Sequence, residues 1–207
     1  MKRLIFASRN AGKVVEVRRL LEPFGFVVQT MAEAGLDEDL PEEGCTFEAN
    51  AESKASALRI LLGQEDVWTL ADDSGLVVDA LDGAPGVYSA RFSGYEGADA
   101  RARDRANNAK LLKDLAQVEG VKRSARFVCC LVLLGPDVPL VLRGTCEGRI
   151  LDAPRGEGGF GYDPLFLPEG FSRSMAELGL DEKNRISHRG QALARLVERL
   201  RDQKIVT

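Results

Sequence analysis

The 207-residue chain has a single histidine and four cysteines, and these scarcities set the first limits. Cys45, Cys129, Cys130 and Cys146 form no CxxC pair and show no metal-ligand spacing. That is the pattern of free thiols in a reducing compartment, so a cytoplasmic location is expected. A surplus of positive charge is also missing: the formal net charge is −4. Nothing in the whole chain attracts a polyphosphate backbone, so neither extended nucleic acid nor an anionic membrane is an expected partner. The longest apolar run, Phe127 to Leu134, is far too short to span a bilayer. Met1 to Ala7 lacks the long apolar stretch of a signal peptide. Repeats and low-complexity tracts are absent, as are the GxxxxGK[ST] spacing of a P-loop and a GxSxG nucleophile elbow.

What is present is an ordinary globular composition, 44% apolar and 29% charged, enough to bury one sizeable core in one domain or two closely joined lobes. Residues 2 to 7 predict a strand, followed by a tight loop and a helix bearing Val14, Val17, Leu20 and Leu21 at helical spacing. Gly25 ends that helix, Phe26 to Thr30 predicts a second strand, and residues 32 to 45 form an acidic loop. Thr46 is the expected N-cap of a helix over Phe47 to Leu62, with Asn50 and Lys54 one turn apart beside its apolar stripe. Val67 to Ala71 predicts a buried strand that delivers Asp72 and Asp73 to a Ser74-Gly75 turn. Ala98 to Leu115 predicts a covering helix with Ala102, Ala106, Ala109 and Leu112 on its inner side. Phe127 to Leu134 and Leu140 to Gly148 are strands whose short connection, residues 135 to 139, requires antiparallel neighbours, so the sheet is mixed. A glycine-rich loop, a basic loop around Lys183 and a terminal helix bearing Leu193, Leu196, Val197 and Leu200 complete the chain.

Six groups of residues can carry chemistry. Ser8-Arg9-Asn10-Ala11-Gly12-Lys13 lies between strand and helix, where unpaired N–H groups and the helix dipole favour an anion; the same string also makes an ordinary turn. Adjacent Asp72 and Asp73 repel each other unless a cation or hydrogen bonds compensate, and strand alternation sends them to opposite faces, so at most one enters a site directly. The bland alternative is that both cap the next turn. A Mg²⁺ ion held by one or two carboxylates plus substrate phosphates would need a second acid, for which Glu42 and Glu43 are available. Lys54 is either a ligand near that acid pair or a snorkelling surface lysine. Gly158 to Pro164 combines close-approach glycines, the aromatic faces of Phe160 and Tyr162 and the carboxylate of Asp163, which suits a planar base, as it also suits a hairpin with core aromatics. His188, flanked by Lys183 and Arg189, could donate to a carbonyl or phosphate oxygen, although a lone loop histidine often has no such role.

Taken together, SRNAGK, TFEANAESKA, ADDSGL, GAPGVYSARFSG, GFGYDPLF and KNRISHRGQAL occur in the order and spacing of one family. The chain resembles the inosine triphosphate pyrophosphatase family, in its bacterial dITP/XTP pyrophosphatase branch, over nearly its whole length. The resemblance implies a single α/β domain over residues 1–207, with an elongated mixed central sheet flanked by helices. It also implies two lobes with an active-site cleft, a homodimer, and Mg²⁺-dependent hydrolysis of aberrant purine triphosphates (ITP, dITP, XTP) to monophosphate and pyrophosphate. Carried over by position, Asp73 is the proton acceptor and a metal ligand and Glu42 the other metal carboxylate. Ser8, Arg9, Asn10, Ala11, Gly12 and Lys13 hold phosphates, and Lys54 and Ser74 contact substrate. Phe160, Gly161, Tyr162, Asp163, Lys183, His188 and Arg189 enclose the nucleotide, and Asp72 is supporting. Arg9 departs from the family pattern, which often has a small residue there, and the acidic loop varies in length.

A 6-oxo purine offers an O6 acceptor and an N1–H donor, the reverse of adenine. A site donating from His188 or Arg189 and accepting at Asp163 therefore rejects adenine, with discrimination on the order of 10⁴ to 10⁵. Three other readings compete. A pyrophosphatase for modified pyrimidine nucleotides is opposed by the GFGYDP and SHR motifs. A catalytically silent nucleotide-binding module would have no need of Asp73 and Glu42. A nucleic-acid binder is opposed by the net negative charge.

Overall fold

Leu4, Ile5, Phe6 and Ala7 are all buried, so strand β1 (Lys2–Ala7) is covered on both faces, as the interior of a parallel sheet requires. The structure, a computed structural model, describes residues 1–64, 66–136 and 139–206. Asp137 and Val138, in the connection expected between two antiparallel strands, lie outside the described residues. β1 runs parallel to β2 (Phe26–Thr30) and to β3 (Trp68–Val78).

Local signals set the first helices. In α1 (Ala11–Leu21), Asn10 is the N-cap and its side chain accepts from the Lys13 N–H at 3.2 Å. Val14, Val17 and Leu21 are buried below it, and the chain turns into β2 at Gly25, whose φ of 82° favours glycine. In α2 (Phe47–Leu62), Thr46 accepts from the Ala49 N–H at 3.1 Å and Gly63 closes the helix in the left-handed region. Both ends of α2 fall where the sequence places them.

The sheet has six strands in the order β2-β1-β3-β4-β5-β6, with β4 (Ser124–Leu134) and β5 (Pro139–Ile150) as neighbours and β6 (Phe166–Pro168) antiparallel to β5. It is the mixed, helix-flanked α/β sheet that was expected. The chain divides into two compact units, one comprising residues 1–73, 129–144 and 188–207, the other residues 74–128 and 145–187. The first unit is built on Leu4, Phe6, Val17, Leu70, Leu131 and Leu196 among others, the second on Leu76, Leu111, Phe127, Leu165 and Phe166. Among the described residues no helix is long and apolar enough to cross a membrane.

Three local expectations need correction. β3 does not stop at Ala71: it continues through Asp72, Asp73, Ser74 and Gly75 to Val78, because the fully buried Leu76 and Val78 resume the apolar pattern and override the turn preference of Ser-Gly. The inner side of α3 (Ala100–Asp114) is not the alanine stripe. Asn107, Asn108 and Leu111 are buried there and Ala109 is exposed, since the two asparagine amides find backbone partners inside. Lys183 sits not in a loop but in α4 (Leu180–Ile186), and His188 is the first residue of α5 (His188–Asp202).

Candidate functional site

The register of β1 on β3 pairs Ala7 with Ala71, so the Ser8–Lys13 segment leaves the sheet beside Asp72. Lys13 Nζ lies 2.5 Å from Asp72 Oδ1, and Arg189 Nε donates to Asp72 Oδ2 at 2.7 Å. The second arm of Arg189 donates to Glu16 Oε2 at 2.5 Å, and the Cys129 thiol lies 3.3 Å from Asp72 Oδ2. Asp72, Glu16 and Arg189 are all buried. Burial pushes the Asp72 carboxyl up, but the charges of Arg189 and Lys13 outweigh it and hold the group well below the usual carboxylate range. Asp72 is thus an ionised hub anchoring two cations.

Asp73 faces a different set of partners, as strand alternation requires. Asn50 Nδ2 donates to its Oδ2 at 3.1 Å and Lys54 Nζ to its Oδ1 at 3.1 Å. The same ammonium donates to Glu42 Oε1 at 2.7 Å and to the Asp72 carbonyl at 2.9 Å. Burial raises the Asp73 carboxyl above its ordinary value, with Lys54, Lys13 and Asn50 opposing it without prevailing. Desolvation works against the charge of Lys54, yet Asp73 and Glu42 prevail and raise it. Of the two candidate acids in the loop, Glu42 is the one that reaches Lys54.

Glu42 and Asp73 therefore converge on the Lys54 ammonium. Both are carboxylates with hard oxygen donors, the kind of ligand of which Mg²⁺ usually takes one or two before completing its shell with water and phosphate. Among the described residues no group of three or more His, Cys, Asp or Glu could hold a metal ion.

In the second unit the backbone of the Phe160–Asp163 segment is fastened by side chains. Asp163 Oδ2 accepts from the Phe160 N–H at 2.9 Å and from Lys183 Nζ at 2.7 Å, and both charged side chains are buried. Lys183 Nζ stands 4.6 Å from the centroid of the half-buried Phe160 ring. Gly161 donates its N–H to Asp104 Oδ2 at 2.7 Å and accepts at its carbonyl from Asn108 Nδ2 at 2.9 Å. Tyr162 is buried in the core, and its hydroxyl donates to the Ser89 carbonyl at 2.8 Å.

Several sequence-selected residues stand differently from expectation. Arg9 reaches the acidic loop, donating to the Asp37 and Glu38 carbonyls and pairing with Asp39 at 3.0 Å. That geometry pins the loop bearing Glu42. Arg189, 1% exposed, donates from Nε to Asp72 and from one amino group to Glu16. Tyr162 serves the core with both ring and hydroxyl. Ser8 accepts from the Asn10 N–H at 3.2 Å and shapes the loop before α1, while Ala11 and Gly12 form the first turn of that helix. His188 is buried at the head of α5, and Ser74 is partly exposed in β3.

Sequence reasoning missed Glu16, Asp104, Asn107 and Asn108. No periodicity separates Glu16 from a solvated acid. The asparagine pair did leave a signal, because two poor helix formers in mid-helix call for an interior use.

Residues 4–199 match the Ham1 family. A dITP/XTP pyrophosphatase of Bacillus anthracis is 48% identical over 203 residues, covering 97% of this chain and 96% of its own. One from Bacillus subtilis is 46% identical over 197 residues, covering 95% and 96% respectively. Among solved structures, the Staphylococcus aureus Ham1 protein superposes with a TM-score of 0.82 at 38% identity, covering 98% of this chain and 100% of its own. A nucleoside-triphosphatase / dITP/XTP pyrophosphatase from Mycobacterium abscessus superposes with a TM-score of 0.72 at 42% identity, covering 94% and 98%. With motifs, sheet and full-length relatives in agreement, the chain belongs to the Ham1 family.

Proposed function

We propose that this protein is a Mg²⁺-dependent nucleoside-triphosphate pyrophosphatase that clears the deaminated purine nucleotides ITP, dITP and XTP from the nucleotide pool. The observation that carries the reading is the placing of Asp73, a carboxylate whose proton affinity burial raises, next to Glu42 across a single ammonium. A carboxylate with raised pKa is a better general base than an ordinary exposed one. Asp73 takes a proton from the attacking water, the α–β phosphoanhydride bond breaks, and nucleoside monophosphate and pyrophosphate separate.

Glu42 and Asp73 would hold the metal, which when bound supplies charge stabilisation for the leaving pyrophosphate. Lys13, the N-terminus of α1 and Lys54 gather the phosphates, while Asp72 and Arg189 keep Lys13 in place. Phe160 stacks on the base, Lys183 and His188 donate toward O6, and Asp163 holds Lys183. The names of the Bacillus relatives, dITP/XTP pyrophosphatase, support this substrate class. A cytoplasmic homodimer belongs to the same proposal, and sedimentation tests the dimer.

The deciding experiment is pyrophosphate release from ITP, XTP, GTP, ATP and dTTP at matched concentration, with and without Mg²⁺. Mg²⁺-dependent release from ITP and XTP alone is expected. Nucleotide binding without release from any of them would make the protein a silent binding module, and equal release from all would remove the base-reading role.

A further inference from the structure

Every backbone polar group of the Phe160-Gly161 dipeptide is engaged. The Phe160 N–H goes to the Asp163 carboxylate at 2.9 Å and the Phe160 carbonyl accepts from the Asp163 N–H at 3.2 Å. The Gly161 N–H goes to the Asp104 carboxylate at 2.7 Å and the Gly161 carbonyl accepts from the Asn108 amide at 2.9 Å. Asp163 is local to the loop. Asp104 and Asn108 are not: they lie 57 and 53 positions away, one turn apart on the same face of α3.

α3 is itself tied down from within. Asn107 accepts from the Ser93 N–H at 2.8 Å and donates to the Ser89 and Ala90 carbonyls at 3.3 and 3.2 Å. The Ser89 carbonyl also receives the Tyr162 hydroxyl, so the aromatic two residues after Phe160 closes the circuit. A loop of this composition, with Gly159 and Gly161 at φ of 70° and 61°, would otherwise have wide conformational freedom. Losing that freedom before a ligand arrives lowers the entropic cost of stacking a planar base on Phe160.

We propose that Asp104 and Asn108 are positioning residues that determine base specificity: they clamp the Gly161 peptide and so fix the Phe160 ring, with Lys183 over it, as a rigid platform for a 6-oxo purine. Neither side chain need touch the nucleotide. The inference rests on the pyrophosphatase reading above and adds the element that sets its selectivity.

The test measures KM and kcat for ITP and the residual kcat/KM for ATP, together with the inhibition constant of inorganic triphosphate, which has no base to stack. Wild type is compared with Asp104→Ala/Asn108→Ala and with the single variants Asp104→Ala and Asp104→Asn. In the double variant the KM for ITP should rise about tenfold, only a part of what the two lost hydrogen bonds are worth, because neither of them touches the base. Its kcat should change far less, the preference for ITP over ATP should narrow, and the triphosphate inhibition constant should stay at the wild-type value. Asp104→Asn keeps an oxygen for the Gly161 N–H and should recover most of what Asp104→Ala loses. An unchanged KM and preference in the double variant overturns the clamp. So does a triphosphate inhibition constant that rises in step with KM, or an Asp104→Asn as impaired as Asp104→Ala. If the wild-type protein itself turns over no nucleotide, the activity falls and the clamp with it; wild-type turnover of ITP with indifferent variants removes the clamp alone.

Discussion

Asp72 and Arg189, 117 positions apart in the chain, meet in a buried ion pair with Nε 2.7 Å from Oδ2. The pair joins the strand that carries the acids to the helix that closes the first unit, and Glu16 and Lys13 extend it into an alternating row of charges. Such a row is stable only when complete, because a buried charge deprived of its partner keeps its desolvation penalty. Arg189→Met should therefore cost about 3–5 kcal/mol of unfolding free energy, measured by urea denaturation. A loss no larger than that of an exposed pair, under about 1 kcal/mol, would show that the row relaxes or admits water.

Asp73→Asn retains the shape of the side chain and removes the proton acceptor. Turnover of ITP should drop by about 10²–10⁴, the range for a positioned general base, while the fold survives. Steady-state pyrophosphate release together with a thermal melt reads both. Activity within a few-fold of wild type would take Asp73 out of the chemistry.

Gly144 in β5 lies under the first turn of α5. A Cβ there would strike the His188 carbonyl and come within 2.7 Å of the Ala192 N–H nitrogen, both backbone groups that cannot swing aside. Gly144→Ala should destabilise the protein by about 1–3 kcal/mol through overpacking, seen as a lowered melting temperature. An unchanged melt would mean that α5 lifts away from the strand without penalty.

The thiols provide a readout of burial. Desolvation drives the Cys129 thiol well above its ordinary value and pushes Cys130 and Cys146 up to about 12, whereas Cys45 is exposed. Because the thiolate is the reactive species, a disulfide reagent at pH 8 should titrate one thiol per native chain quickly and all four after denaturation. Two or more fast thiols in the native protein would contradict the packing around β4 and β5.

By itself the sequence determined the features that depend on neighbours along the chain. Thr46 caps α2 where residue type and position predict, Gly63 ends that helix in the left-handed region, and Gly25 closes the short turn that follows α1. The bounds of α2 and β2 follow from apolar spacing and these punctuating residues. The motif set that marks the family was also legible, since it lies in the linear order of short strings.

Only the tertiary structure decided where charge goes. Periodicity carries β3 as far as Ala71, but whether Asp72 and Asp73 can stay within a strand depends on Lys13, Lys54 and Arg189 arriving from three other segments to offset their desolvation. The same holds for Glu16 and for the asparagines of α3, whose partners lie far away in sequence. A hydrogen bond or ion pair between distant residues leaves no period in the chain. It becomes visible only when the fold brings donor and acceptor within about 3 Å.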